Sequence, residues 1–160
     1  MPETDSSHYR ELDRTDRAIL AELERDGRIS NAELATRVGI AESTCHKRVR
    51  ALVASGAIVG FHAEVDPAAL GLHIEALISV RLQAHARGDL RRFQRDLEKL
   101  PATRRVYFLA GDRDFLVHVA VRDAQALREL VADTISVREE VAGTTTNLIF
   151  DHAPRHHEAR

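Results

Sequence analysis

Apolar residues recur at helical spacing in three short runs near the start of the chain. In the first, Leu12, Ile19, Leu20 and Leu23 supply the inward contacts of a 3.6-residue period. Asp13 stands where a helix N-cap is needed, and Asp16, three residues on, complements the positive end of that helix. Gly27 is placed to close the run in a left-handed turn. The second run opens on Ser30-Asn31-Ala32-Glu33, a capping box in which Ser30 and Glu33 satisfy orphan amides reciprocally. It turns Leu34, Ala35 and Val38 inward and stops at Gly39. The third run, 40–52, sets Cys45, Val49 and Leu52 on one seam and is ended by Gly56. At about 100° per residue, Ser43, Thr44, Lys47 and Ala51 fall opposite that seam, with Arg48 and Arg50 flanking them. A supporting helix followed by two short helices joined through Gly39-Ile40-Ala41 predicts a winged-helix-like helix-turn-helix. Hydroxyls and Lys47 suit base edges in a DNA groove, and the arginines suit phosphates. Taken alone, the same face also fits a solvated surface helix; the two capped helices before it favour DNA.

The period then changes from 3.6 to two. Residues 58–65 alternate and predict an extended segment, a wing or a joining strand, and Asp66-Pro67 starts a turn. Residues 73–82 alternate with Ile74, Ala76, Ile78, Val80 and Leu82 on one face. Residues 89–100 return to helical spacing through Leu90, Phe93, Leu97 and Leu100. Strands follow at 106–110 and 115–121 around a tight turn at 111–114; a helix capped by Asp123 carries Leu127, Leu130, Val131 and Ile135, and a last strand covers 141–150. The order βαββαβ predicts a ferredoxin-like unit: one antiparallel sheet with both helices on one face. The fold class is therefore α+β. The expected domains are a DNA-binding unit at 12–60, a connection at 61–72, a second unit at 73–150 and a polar tail at 151–160. The bare sheet face, with His73, Glu75, Leu77, Ser79 and Arg81 beside Leu116, His118 and Ala120, is too apolar for solvent and too polar for a core. Either a second copy of the sheet or the connecting segment of the same chain covers it, and a two-fold dimer is the commoner arrangement.

Composition narrows this further. Basic and acidic residues number 23 and 25, so any attraction to nucleic acid must be local, and Lys47, Arg48 and Arg50 are its densest source in the first unit. A single cysteine excludes an internal disulfide and fits a reducing compartment. No run is long and apolar enough for a membrane span, and the polar N-terminus lacks a signal-peptide core, so a cytoplasmic protein is expected. Nine histidines invite a metal reading, but His152, His156 and His157 stand in a charged tail without apolar support, and no metal site is expected. Nucleotide-binding glycine patterns, zinc-protease motifs and nucleophile elbows are missing from the sequence, and no cofactor or catalytic set is expected. One loop stands out in the second half, Gly111-Asp112-Arg113-Asp114-Phe115. As a plain turn it needs nothing more than its glycine and Asp114; as a site, its amides and Asp114 would grip the carboxylate and ammonium of a zwitterion.

From Leu12 to Phe150 the chain resembles the Lrp/AsnC (feast/famine) family of prokaryotic transcriptional regulators. The resemblance is carried by LDRTDRAILAELERDGRISNAELATRVGI, by CHKRVRALVASGAIVGF, by GDRDF against the family's G-x-x-D-[YF] turn, and by Thr144 and Thr146 against its T-x-T. It implies a regulator and not an enzyme: double-stranded DNA read by Ser43, Thr44, Lys47, Arg48 and Arg50, and an effector-binding RAM domain after it. It further implies a small effector, usually an amino acid, near Gly111, Asp112, Asp114, Thr144 and Thr146, and homodimers assembling into octamers. The chain departs from the pattern at Ala41 and Glu42, where many relatives have a serine or aspartate cap and then a small residue or proline. The missing cap is expected to cost about 1 kcal/mol, unless Ser43 caps a later start.

Overall fold

The computed structural model describes residues 11–151, apart from the side chain of Arg87. The expected tail beyond Asp151 and its histidines lie outside the described residues. The chain folds as two compact units that divide between Glu64 and Val65.

The first unit is three helices, α1 (Arg14–Arg25), α2 (Asn31–Val38) and α3 (Glu42–Ala54). Asp13 caps α1 in a complete capping box: its carboxylate accepts the Asp16 amide at 2.7 Å, and the Asp16 carboxylate accepts the Asp13 amide at 3.4 Å. The expected left-handed stop at Gly27 does not occur. α1 ends earlier, with Asp26 extended as its C-cap and its carboxylate accepting the Arg28 amide at 2.8 Å, a local turn that competes with the helix. Ser30 caps α2 by accepting the Glu33 amide at 3.2 Å. Glu33 itself turns outward to pair with Arg37 at 2.6 Å, so only the serine half of the expected box forms. Gly39 closes α2 at φ 74°, a conformation that favours glycine, and the chain turns directly into α3. Ile19, Leu34, Ala35, Cys45 and Leu52 form the buried centre, with Leu23, Val38 and Val49 packed around it.

Residues 59–66 carry no regular secondary structure. Alternation alone does not make a strand; a ladder partner is required, and Val59, Phe61 and Val65 stay 92%, 53% and 47% exposed.

The second unit begins with a short 3₁₀ turn (Pro67–Leu70), capped by Asp66. Four strands follow, β1 (Ile74–Leu82), β2 (Thr103–Phe108), β3 (Phe115–Val121) and β4 (Val141–Ile149). Helix α4 (Leu90–Glu98) joins β1 to β2, and α5 (Ala124–Glu129), continued by a π turn (Leu130–Ile135), joins β3 to β4. The sheet order is β2-β3-β1-β4 with every pair antiparallel, the ferredoxin-like arrangement of an α+β fold. Ala76, Ile78, Val80 and Leu82 of β1 and Phe115, Val117 and Val119 of β3 are buried with Phe93, Leu97, Leu127 and Ile135 of the helix layer. The alternate residues of β1 and β3 face the side away from α4 and α5, where His118 Nε2 lies 2.8 Å from Glu75 Oε2.

Candidate functional site

Helix α3 owes its position to α1, through ion pairs as well as the shared core. Near one end of α1, Arg48 Nη1 lies 2.7 Å from Asp13 Oδ2 and 2.8 Å from Asp16 Oδ1. Near the other, Glu22 pairs with Arg37 of α2 at 2.9 Å. The Asp13 carboxyl is held below the ordinary aspartate range by the Asp16 amide and then by Arg48. The Glu22 carboxyl is lowered chiefly by Arg37. Asn31, the first residue of α2, donates its amide to the Glu42 carbonyl at 3.0 Å and so holds the start of α3. Ala41 is the N-cap of α3 and supplies no side-chain hydrogen bond; Ser43 lies within the helix and does not cap a later start.

Held this way, α3 turns Ser43, Thr44, Lys47 and Arg50 outward, all exposed, while Cys45 and Leu52 are buried. Burial raises the Cys45 thiol pKa, which keeps it a packing residue. Arg48 differs from the other expected DNA contacts. It shares the inner stripe with Cys45, Val49 and Leu52, and its guanidinium is taken up by two carboxylates of α1. The sequence signal for this pairing was the i, i+3, i+4, i+7 spacing of 45, 48, 49 and 52, which sets Arg48 on the inner stripe.

In the second unit the turn before β3 is tightly tied to β1. The Asp114 amide donates to the Val80 carbonyl at 3.0 Å, its carbonyl accepts from Leu109 at 2.9 Å, and its carboxylate accepts the Leu82 amide at 2.7 Å. Leu82 sits where the β1–β4 register slips. Gly111 has φ 144°, which favours glycine, and it and Asp112 are exposed. Thr144 and Thr146 pair with Val80 and Ile78 and so lie on the helix side of β4, with Thr144 Oγ1 3.0 Å from Ser136 Oγ. Val80 separates Phe115 from Thr144 across the sheet, two strand spacings or about 10 Å. A single chain therefore brings Gly111, Asp112 and Asp114 together but leaves the threonines apart from them. Two clefts of about 260 and 230 Å³ open elsewhere, one beside Asp66, His73 and Phe150, the other beside Leu23, Val49 and Phe61. Among the described residues no cluster suits a metal ion, and no helix is long and apolar enough to cross a membrane.

A helix-turn-helix with an outward cationic and hydroxyl face, joined to a ferredoxin-like unit, defines a DNA-binding regulator with a sensory domain. Comparison with known proteins gives the family. Residues 12–59 match the winged helix-turn-helix DNA-binding family and 75–157 the Lrp/AsnC ligand binding domain. The chain is 51% identical to the HTH-type transcriptional regulator AldR of Mycolicibacterium smegmatis, over 89% of this chain and 84% of that one. It is 34% identical to the leucine-responsive regulatory protein of Escherichia coli, over 89% and 87%. Among solved structures, that of AldR from Mycobacterium tuberculosis superimposes with a TM-score of 0.77 at 44% identity, covering 90% of this chain and 97% of that one. A Neisseria meningitidis transcriptional regulator solved as its L-methionine complex gives 0.79 at 28%, covering 89% and 94%. The chain belongs to the Lrp/AsnC family: it is a DNA-binding transcriptional regulator with a ligand-binding domain, and not an enzyme.

Proposed function

We propose that this regulator binds double-stranded DNA through the exposed face of α3 and that an amino acid bound to its second unit changes that binding. The observation that carries the reading is the outward row of Ser43, Thr44, Lys47 and Arg50 on a helix whose other face is locked into a three-helix core. Ser43, Thr44 and Lys47 reach base edges, and Arg50 and Lys47 neutralise phosphates. The effector reading is supported by the exposed Gly111-Asp112 turn and by relatives whose names record leucine response and an L-methionine complex. The turn's amides take the effector carboxylate, and Thr144 and Thr146 complete the site from another copy of the chain. The working form is a homodimer that assembles further, toward an octamer, in the cytoplasm. An effector that prefers one assembly shifts its population and the DNA affinity with it.

The test is a binding titration over a range of salt, using a duplex selected by the wild-type protein from a random-sequence pool. Lys47→Ala is expected to weaken binding and to lower the slope of log affinity against log salt by about one. At least one amino acid of a full panel is expected to shift the wild-type affinity at fixed salt. Wild-type affinity in Lys47→Ala would remove α3 from the interface, and indifference to every amino acid would leave a regulator of another ligand.

A further inference from the structure

We propose that Arg48 is a positioning residue that aims the DNA-reading helix, and that it makes no phosphate contact; this rests on the reading of α3 as the helix that meets DNA. Three observations converge. The guanidinium lies 2.7 and 2.8 Å from two carboxylates on α1, and hydrogen bonds between charged groups are the strong, directional kind. Of those carboxylates, the Asp16 side chain is wholly buried, so Arg48 neutralises a charge that has no access to water. Asp13 and Asp16 are also the two halves of the α1 capping box. The same atoms therefore close the first turn of α1 and hold the middle of α3.

The consequence is geometric and electrostatic. An Arg48 spent on α1 fixes how far α3 stands from α1 and how it is rotated, and so where Ser43, Thr44 and Lys47 point. Its loss would loosen that aim and leave the buried Asp16 carboxylate without this arginine partner. Swinging Arg48 out to a phosphate would require abandoning both carboxylates, one of them buried. Lys47 and Arg50 are exposed and need no such exchange.

The two roles give opposite results when the partner on α1 is changed. Asp13→Asn keeps a good N-cap for α1 while removing one charge from Arg48. If Arg48 positions α3, Asp13→Asn weakens binding to the selected duplex several-fold, and Arg48→Ala weakens it by about ten-fold, the equivalent of one charge-assisted hydrogen bond. Both keep the wild-type salt slope, and the double variant binds no more weakly than Arg48→Ala alone. If Arg48 touches a phosphate, Arg48→Ala lowers the slope by about one, and Asp13→Asn, which releases the arginine, binds as well as wild type or more tightly. Either of these outcomes overturns the proposal. Asp13→Asn decides the matter even if Arg48→Ala does not fold. Lys47→Ala run alongside separates this failure from that of the underlying reading, since only an unaffected Lys47→Ala removes α3 from the DNA.

Discussion

The carboxylate of Asp114 accepts the Leu82 amide at 2.7 Å where the β1–β4 ladder slips, in a residue only 8% exposed. Alanine there leaves a buried N–H without that acceptor, a loss of about 1–3 kcal/mol. Asparagine keeps an oxygen in place. Asp114→Ala is therefore expected to destabilise the protein in denaturant titrations by that amount and Asp114→Asn to recover most of it; an Asp114→Ala variant as stable as wild type would show the bond to be idle. The sequence marks Asp114 as an effector ligand, and the geometry adds a structural bond to Leu82 beside that expectation. The G-x-x-D turn is visible in the sequence because glycine and aspartate mark turns. Leu82 as the partner is not, since it lies 32 residues away and is exposed to Asp114 by a register slip that no local pattern encodes. Arg48 is a similar case: beside Lys47 it reads as one more surface cation, and only its place on the buried stripe points to its pairing with Asp13 and Asp16.

At the scale of elements, α3 begins without help from a side chain. Ala41 occupies its N-cap in an extended conformation, φ −65° and ψ 143°, which a serine adopts equally well. A serine oxygen there would accept one of the first-turn amides and is worth about 1 kcal/mol. Ala41→Ser is expected to raise the unfolding midpoint by a corresponding amount while leaving the salt slope of DNA binding unchanged, because it adds no charge to the interface. A variant no more stable than wild type would mean that those amides are already satisfied. Element boundaries were legible where one pattern dominated, as in β3, whose limits agree with its alternation. They were not where pairing recruits polar residues: β2 starts at Thr103 and not at Val106 because β3 draws Thr103 and Arg105 into its ladder across another register slip. The π turn after α5 likewise has apolar spacing close to that of an ordinary helix, so Leu127, Leu130, Val131 and Ile135 predicted a helix without its last-turn widening.

For the whole molecule, the sheet face away from α4 and α5 is the surface expected to join two copies. Cross-strand pairing puts Tyr107, Leu116 and Ser79 in one row and Arg105, His118 and Leu77 in the next, with Glu75 bonded to His118 beside them. Leu77 and Leu116 are half-buried, and the helices of their own unit, α4 and α5, pack on the other face. A two-fold partner placing the same face here would cover both leucines, and a closed, self-complementary contact needs no second kind of surface. Leu116→Arg puts a charge at the centre of that contact without touching the core side, where Val117 and Phe115 are buried. The expected result in sedimentation is a shift from dimer or larger species toward monomer with secondary structure retained. DNA affinity should fall with it, because one recognition helix would then have to hold a half-site without the second. A Leu116→Arg protein that sediments as wild type would assign this face to some other cover, the connecting segment first, and would remove the basis for a paired DNA site.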